Sequence, residues 1–183
     1  MRARLASGNA HKLVELRRAL PAWELELLAE RDFPPETGPT YAENALGKAL
    51  YARAHAAADE WALGEDSGIE AVALGGSPGV ASARWAQDGV SRLLEELDGT
   101  ADRRARYVCV IVAIGPSGDE LTLEGTLEGV IAAAPRGHDG FGYDPIFVPA
   151  GETRTVAELG DDWKTLNSHR ARAAAALAAA VVP

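Results

Sequence analysis

The sequence predicts an α/β fold built on a mixed β-sheet. Three observations carry that prediction. Strand-like and helix-like segments alternate along the chain rather than gathering in blocks. The N-terminus reads as strand, tight turn, helix. Tyr107 to Ile114 is an apolar, β-rich run bounded by Gly115-Pro116, the clearest strand signal present. With 183 residues, 47% hydrophobic and 25% charged, the chain has the composition of a folded domain. Its length suits one domain, or two lobes sharing a sheet.

The elements follow in order. Arg2 to Ala6 forms a short strand, and Ser7-Gly8-Asn9 turns the chain. Leu13, Leu16 and Leu20 then recur at helical spacing, with Lys12, Glu15 and Arg18 off that face, until Pro21 stops the helix. Arg31 to Pro39 holds three prolines and a glycine and reads as loop. Thr40 with Glu43 three residues later is a capping box, opening a helix to about Asp59. Trp61 to Gly64 is a strand, Glu65-Asp66-Ser67-Gly68 a turn, and Ile69 to Leu74 a second strand. Ser91 to Leu97 is a short helix. Glu120 to Glu124 and Leu127 to Ala133 are two further strands. Pro135 to Pro149, rich in Gly and aromatic residues, is a binding loop ending in a short strand. Ser168 to Val181 is the last helix.

A net charge of -9 argues against a basic nucleic-acid surface. An anionic ligand would need cations gathered locally, with help from a bound metal. The lone cysteine, Cys109, lies in the apolar run, so no disulfide forms within the chain and a reducing compartment fits. The N-terminus carries no secretory signal, and no run approaches the roughly 18 apolar residues of a membrane span.

Several segments carry candidate chemistry. Ser7-Gly8-Asn9-Ala10-His11-Lys12 joins a strand to a helix, where backbone N–H groups and the helix dipole favour an anion. Read alone, it is first a helix cap with an exposed lysine. The chain has only three lysines (Lys12, Lys48, Lys164) and three asparagines (Asn9, Asn44, Asn167), each asparagine within four residues of a lysine. Since lysine is a compact point charge at a phosphate, the pattern suggests that these segments serve one ligand. Glu65 and Asp66 are adjacent carboxylates of the kind that hold Mg²⁺ or act as general base, or else a surface turn. Phe141-Gly142-Tyr143-Asp144 places aromatic rings suited to stacking on a base beside an acceptor, or else plugs the core. Lys164, Ser168, His169 and Arg170 gather donors at a helix start, where cations oppose the dipole; that local conflict favours function.

Taken in order, these segments resemble the inosine/xanthosine triphosphate pyrophosphatase (Ham1-like) family. The matching stretches are Ser7-Gly8-Asn9-x-x-Lys12, Thr40-Tyr41-x-Glu43-Asn44-Ala45-x-x-Lys48-Ala49 and Glu65-Asp66-Ser67-Gly68. They continue with Leu74-Gly75-Gly76-x-Pro78-Gly79-Val80-x-Ser82-Ala83-Arg84, Gly140 to Phe147, Ala157-Glu158-Leu159 and Lys164-x-x-x-Ser168-His169-Arg170. The resemblance implies an elongated mixed β-sheet flanked by helices, two lobes around a central cleft, and a cytoplasmic homodimer. It implies Mg²⁺-dependent hydrolysis of dITP, ITP and XTP to monophosphate and pyrophosphate, with no nucleic-acid or membrane partner. Ser7 to Lys12 would hold phosphates, and Asp66 would be general base and metal ligand. Glu43, Glu65 and Lys48 would serve metal and phosphate. Ser67, Phe141, Gly142, Tyr143, Asp144, Lys164, His169 and Arg170 would contact the nucleotide. The chain departs from the pattern at Glu65, where relatives often carry Asp, and at Lys164-Thr165, where they carry Lys-Asn. The alternatives are a Maf-like pyrophosphatase of modified pyrimidine nucleotides and a non-catalytic nucleotide-binding regulator.

Overall fold

The computed structural model describes residues 1–29 and 32–181; Arg31, the first residue of the predicted loop, lies outside them. Its elements are β1 (Arg2–Ala6), α1 (Ala10–Ala19), β2 (Glu24–Leu27), α2 (Tyr41–His55), β3 (Trp61–Ala71), α3 (Gly89–Glu96), β4 (Arg104–Ile114), β5 (Glu120–Ile131), β6 (Phe147–Pro149), α4 (Val156–Asn167) and α5 (His169–Ala180). The strands form one six-stranded sheet in the order β2-β1-β3-β4-β5-β6. Parallel β1/β2 and β1/β3 pairs and an antiparallel β5/β6 pair make it mixed, as the alternating pattern predicts.

The chain divides into two compact units. Unit 1 comprises Met1–Asp66, Cys109–Gly125 and the chain from Arg170 onward. Its core joins the Leu13/Leu16/Leu20 stripe of α1 to Leu5, Leu25, Leu63, Cys109, Ile111, Ala173, Ala174 and Leu177. Asn9 caps α1 by accepting from His11 N, and the capping box Thr40/Glu43 starts α2. Unit 2 comprises Ser67–Val108 and Thr126–His169, with a core around Ile69, Leu93, Leu97, Tyr107, Leu127, Ile131, Ile146 and Phe147.

The structure corrects several boundaries. Glu65-Asp66-Ser67-Gly68 is not a turn: β3 runs unbroken from Trp61 to Ala71, followed by a 3-10 turn at Val72–Leu74. Side chains alternate across a strand, so Leu63 and Glu65 share one face of the sheet while Gly64 and Asp66 share the other. Each carboxylate is met by cations on its own face, as set out below, and this lets two charges sit inside a strand. β5 is likewise continuous where two strands are predicted. The short β2, whose Glu-Leu-Glu-Leu alternation marks it, and α4, opened by a Thr155/Glu158 capping box, are additions. Asp88 caps α3 from Gly89, ahead of the predicted start, and Ser168 ends α4 rather than opening α5.

Gly64 sets how near α2 lies to β3. A Cβ there would stand 2.0 Å from Ala45 O, 2.5 Å from Ala49 N and 2.9 Å from Lys48 Cβ. The obstructing atoms are largely backbone, so the helix must shift. Gly64→Ala is therefore expected to cost about 3 kcal/mol through overpacking. The matching fall in melting temperature is roughly 6–12 °C, read by calorimetry.

Candidate active site

In unit 1 the charged residues form two groups on opposite faces of β3. On one face Glu65 is fully buried. Lys12 Nζ of α1 lies 2.6 Å from its Oε2. Arg170 of α5 donates to its Oε1 through Nε at 3.2 Å and Nη2 at 3.0 Å. Cys109 Sγ donates to the same oxygen at 3.3 Å. The remaining Arg170 nitrogen, Nη1, pairs with Glu15. Burial pushes the Glu65 carboxyl up, but Lys12 and Arg170 outweigh it and hold the group well below the usual carboxylate range. Burial likewise opposes the Arg170 charge, and Glu65 and Glu15 more than restore it. The Cys109 thiol is pushed well up by burial and by Glu65, so it is not a thiolate nucleophile.

On the other face stands Asp66, 3% exposed. Its Oδ1 accepts from Lys48 Nζ at 3.2 Å and its Oδ2 from Asn44 Nδ2 at 3.1 Å. The Asn44 amide is itself oriented by Gly38, whose N–H it accepts at 2.8 Å and whose carbonyl it meets at 3.3 Å. Asn44 and Lys48 lie four residues apart on one face of α2, as helical spacing predicts. Lys48 also donates to Glu65 O at 2.9 Å and pairs with Glu36. Burial lowers its charge preference, yet Asp66, Glu36 and Glu65 together keep the ammonium above its ordinary range. For Asp66 burial wins over Lys48, and the carboxyl rises above its ordinary value, assisted by the like charge of Glu36. A raised carboxyl in a polar cluster is the profile of a general base.

The segment from Ser7 to Lys12 joins β1 to α1. Ser7 is buried and its Oγ accepts from Asn9 N at 3.1 Å. Gly8 and Ala10 are exposed at the start of α1, so the helix start there faces solvent, while the His11 N–H is taken by the Asn9 cap. Ser67 follows Asp66 in β3 and is half-buried.

The metal set is not brought together. Among the described residues no group of three or more His, Cys, Asp or Glu side chains stands in metal-holding geometry. Glu43 is exposed and turns back on its own helix start, accepting from Thr40 N at 3.2 Å and Thr40 Oγ1 at 3.1 Å. Glu65 is enclosed by Lys12 and Arg170. Asp66, with Glu36 sharing Lys48 beside it, is left as the hard-oxygen pair. That donor set suits Mg²⁺, which takes one or two carboxylates and completes its shell with water and phosphate oxygens.

Unit 2 holds the aromatic loop. Asp144 is 4% exposed, and its Oδ2 accepts from Lys164 Nζ at 2.7 Å and Phe141 N at 2.9 Å. Tyr107 Oη donates to its Oδ1 at 3.1 Å. The Lys164 ammonium lies 4.9 Å from the centre of the half-buried Phe141 ring. Gly140 is required here: its φ is +79°, and a Cβ would meet Asp144 Oδ2 at 2.2 Å. Gly142, at φ 62°, turns the chain within the loop. The two aromatic residues part company. Phe141 stays near Lys164, whereas Tyr143 is buried and donates to Ser82 O at 3.1 Å as a strut of the core. His169 is buried with its ring stacked on Tyr107. Arg170, expected beside His169 at the base, instead belongs to unit 1 and the Glu65 group.

Sequence reasoning missed Glu15, Glu36 and Tyr107. Glu15 stands three residues after Lys12 on α1, a spacing that marks a shared helix face. Glu36 lies in the proline-rich loop, and Tyr107 in the strand read only as core.

The chain is similar to known proteins over nearly its whole length. The Ham1 family pattern matches residues 3–180. A dITP/XTP pyrophosphatase of Deinococcus deserti is 46% identical over 183 residues, spanning 96% of this chain and 87% of that protein. A dITP/XTP pyrophosphatase of Symbiobacterium thermophilum is 49% identical over 180 residues, spanning 93% and 90%. Among solved structures, the Staphylococcus aureus Ham1 protein superposes with a TM-score of 0.84 at 36% identity, covering 98% of this chain and 97% of that one. The fold, the ordered motifs and these relatives agree: the chain belongs to the Ham1 family.

Proposed function

We propose that this protein is a Mg²⁺-dependent pyrophosphatase that hydrolyses non-standard purine nucleoside triphosphates (dITP, ITP and XTP) to the monophosphate and pyrophosphate. The observation that carries the reading is Asp66, a buried carboxyl with its pKa raised, fixed on both oxygens by Asn44 and Lys48. The relatives named dITP/XTP pyrophosphatase support the same chemistry.

Unit 1 supplies the phosphate chemistry. The exposed start of α1 at Gly8 and Ala10 and the Lys12 and Lys48 ammonium groups offset the triphosphate charge, which a chain of net charge -9 must do locally. Asp66 takes a proton from the attacking water as one P–O bond forms and the anhydride P–O bond to the pyrophosphate breaks. Mg²⁺, held by Asp66 with Glu36 adjacent, would supply charge neutralisation on the phosphate oxygens.

Unit 2 supplies base recognition. Phe141 offers a ring to stack on the purine, and Lys164 and His169 offer donors to a carbonyl at position 6. Adenine presents an amino group there and leaves those donors unpaired, a large penalty in a buried site. Asp144 acts on the base indirectly, because Tyr107, Phe141 and Lys164 already engage both of its oxygens. The protein is further read as cytoplasmic, in keeping with the single buried thiol, and as a homodimer, as the family resemblance implies.

Steady-state pyrophosphate release from ITP, dATP and dUTP tests the reading. With Mg²⁺, ITP is expected to be cleaved well and the other two poorly, and EDTA is expected to abolish release. Preferred cleavage of dUTP would instead assign pyrimidine substrates. Tight ITP binding without release would make the chain a nucleotide-binding regulator.

A further inference from the structure

Tyr107 of β4 is buried in unit 2 and touches two separate groups of the proposed base-recognition set. Its hydroxyl donates to Asp144 Oδ1 at 3.1 Å. Its ring stacks on the His169 imidazole with centroids 4.5 Å apart and planes 10° apart. Asp144 in turn holds Lys164 Nζ at 2.7 Å and Phe141 N at 2.9 Å, both on Oδ2.

We propose that Tyr107 is a positioning residue for purine discrimination: its hydroxyl sets the plane of the Asp144 carboxylate and so the place of the Lys164 ammonium, while its ring sets the plane of His169. This rests on the reading of unit 2 as the base-recognition unit. The torsion that turns a carboxylate is soft. Two donors on one oxygen fix where that oxygen lies but constrain the plane of the group little. The Tyr107 hydroxyl, donating to Oδ1, adds the point that orients the plane. Lys164 follows the oxygen it is bonded to, and a hydrogen bond to a carbonyl weakens steeply with misalignment. His169 is held by stacking on the same ring, so one residue of β4 governs both proposed donors to a 6-oxo purine. Tyr107 belongs to unit 2 and Asp66 to unit 1, so its effect should fall on the base and spare the phosphate chemistry.

Tyr107→Phe separates the hydroxyl from the ring. The measurement is kcat/KM for ITP and for ATP on the Mg²⁺-loaded wild type and variant, with melting temperature alongside. Loss of one donor to a buried carboxylate is expected to lower kcat/KM for ITP about tenfold, mainly through KM. ATP should change by less than about twofold, so the ITP:ATP ratio falls. In an Asp144→Asn background the same substitution is expected to alter that ratio less than about twofold, since the two act in series. An equal fall for both substrates, or an unchanged ratio, overturns the assignment. Should Tyr107→Phe not fold, Tyr107→Met, which lacks both hydroxyl and ring, is expected to lower the ITP:ATP ratio at least as far, and an unchanged ratio there overturns the assignment. A wild type without ITP preference overturns the proposed function itself. A wild type with that preference, retained in full by the variant, overturns only the role of Tyr107.

Discussion

Asp66→Asn is expected to lower kcat for pyrophosphate release from ITP by roughly 10²- to 10⁴-fold, the range for removing a positioned general base. The substitution keeps the volume of the side chain and removes its basicity. It also places an amide NH₂ where two donors already converge. Lys48 Nζ and Asn44 Nδ2 both point at Asp66, and Asn44 is held against flipping by the Gly38 N–H and carbonyl. One donor must therefore face another, and a local loss of about 1–3 kcal/mol accompanies the catalytic defect. Rate and stability are separable. Binding of ITP to the variant should persist, because the phosphate segment and Lys12 are unchanged, while turnover collapses. A variant that keeps the wild-type rate would remove Asp66 from the mechanism.

Arg170→Met is expected to act in the opposite way, through folding. The guanidinium is 2% exposed and joins Glu65 of β3 to Glu15 of α1 from its place on α5. Removing one partner of a buried ion group leaves carboxylates short of charge, at a cost of about 3–5 kcal/mol. Lys12 still faces Glu65, which favours the lower part of that range. For a chain of this size the melting temperature should fall roughly 6–20 °C. Arg170→Lys is expected to restore only part of this loss, since an ammonium cannot reproduce the planar fork that spans two acids. Had Arg170 been a contact to the base, the variant would melt normally and lose only affinity for ITP. Thermal melts of both variants, with KM for ITP measured below the transition, decide between the two roles.

Much of this was legible in the sequence, for identifiable reasons. Leu13, Leu16 and Leu20 announce α1, and Thr40 with Glu43 announces α2, because periodicity and capping are local. The close sequence spacing of Asn44 and Lys48 likewise places both on Asp66. The failures are where distant charge decides local form. Glu65-Asp66-Ser67-Gly68 has the composition of a turn, and only cations on α1, α2 and α5 let it continue as strand. The same long-range pairing reassigned Arg170. It stands next to His169 in the chain, yet its partners are 105 and 155 residues away. Glu43 illustrates the reverse case: its local capping role was visible, and it leaves the carboxylate turned away from the expected metal set.

On the proposed function, the chain hydrolyses purine triphosphates selected by the group at position 6. The most direct test is the ratio of kcat/KM for pyrophosphate release from ITP and from ATP at equal free Mg²⁺. A site built to donate to a carbonyl predicts a preference for ITP of roughly 10²-fold or more. Equal rates for the two nucleotides, or no release from ITP, would contradict it.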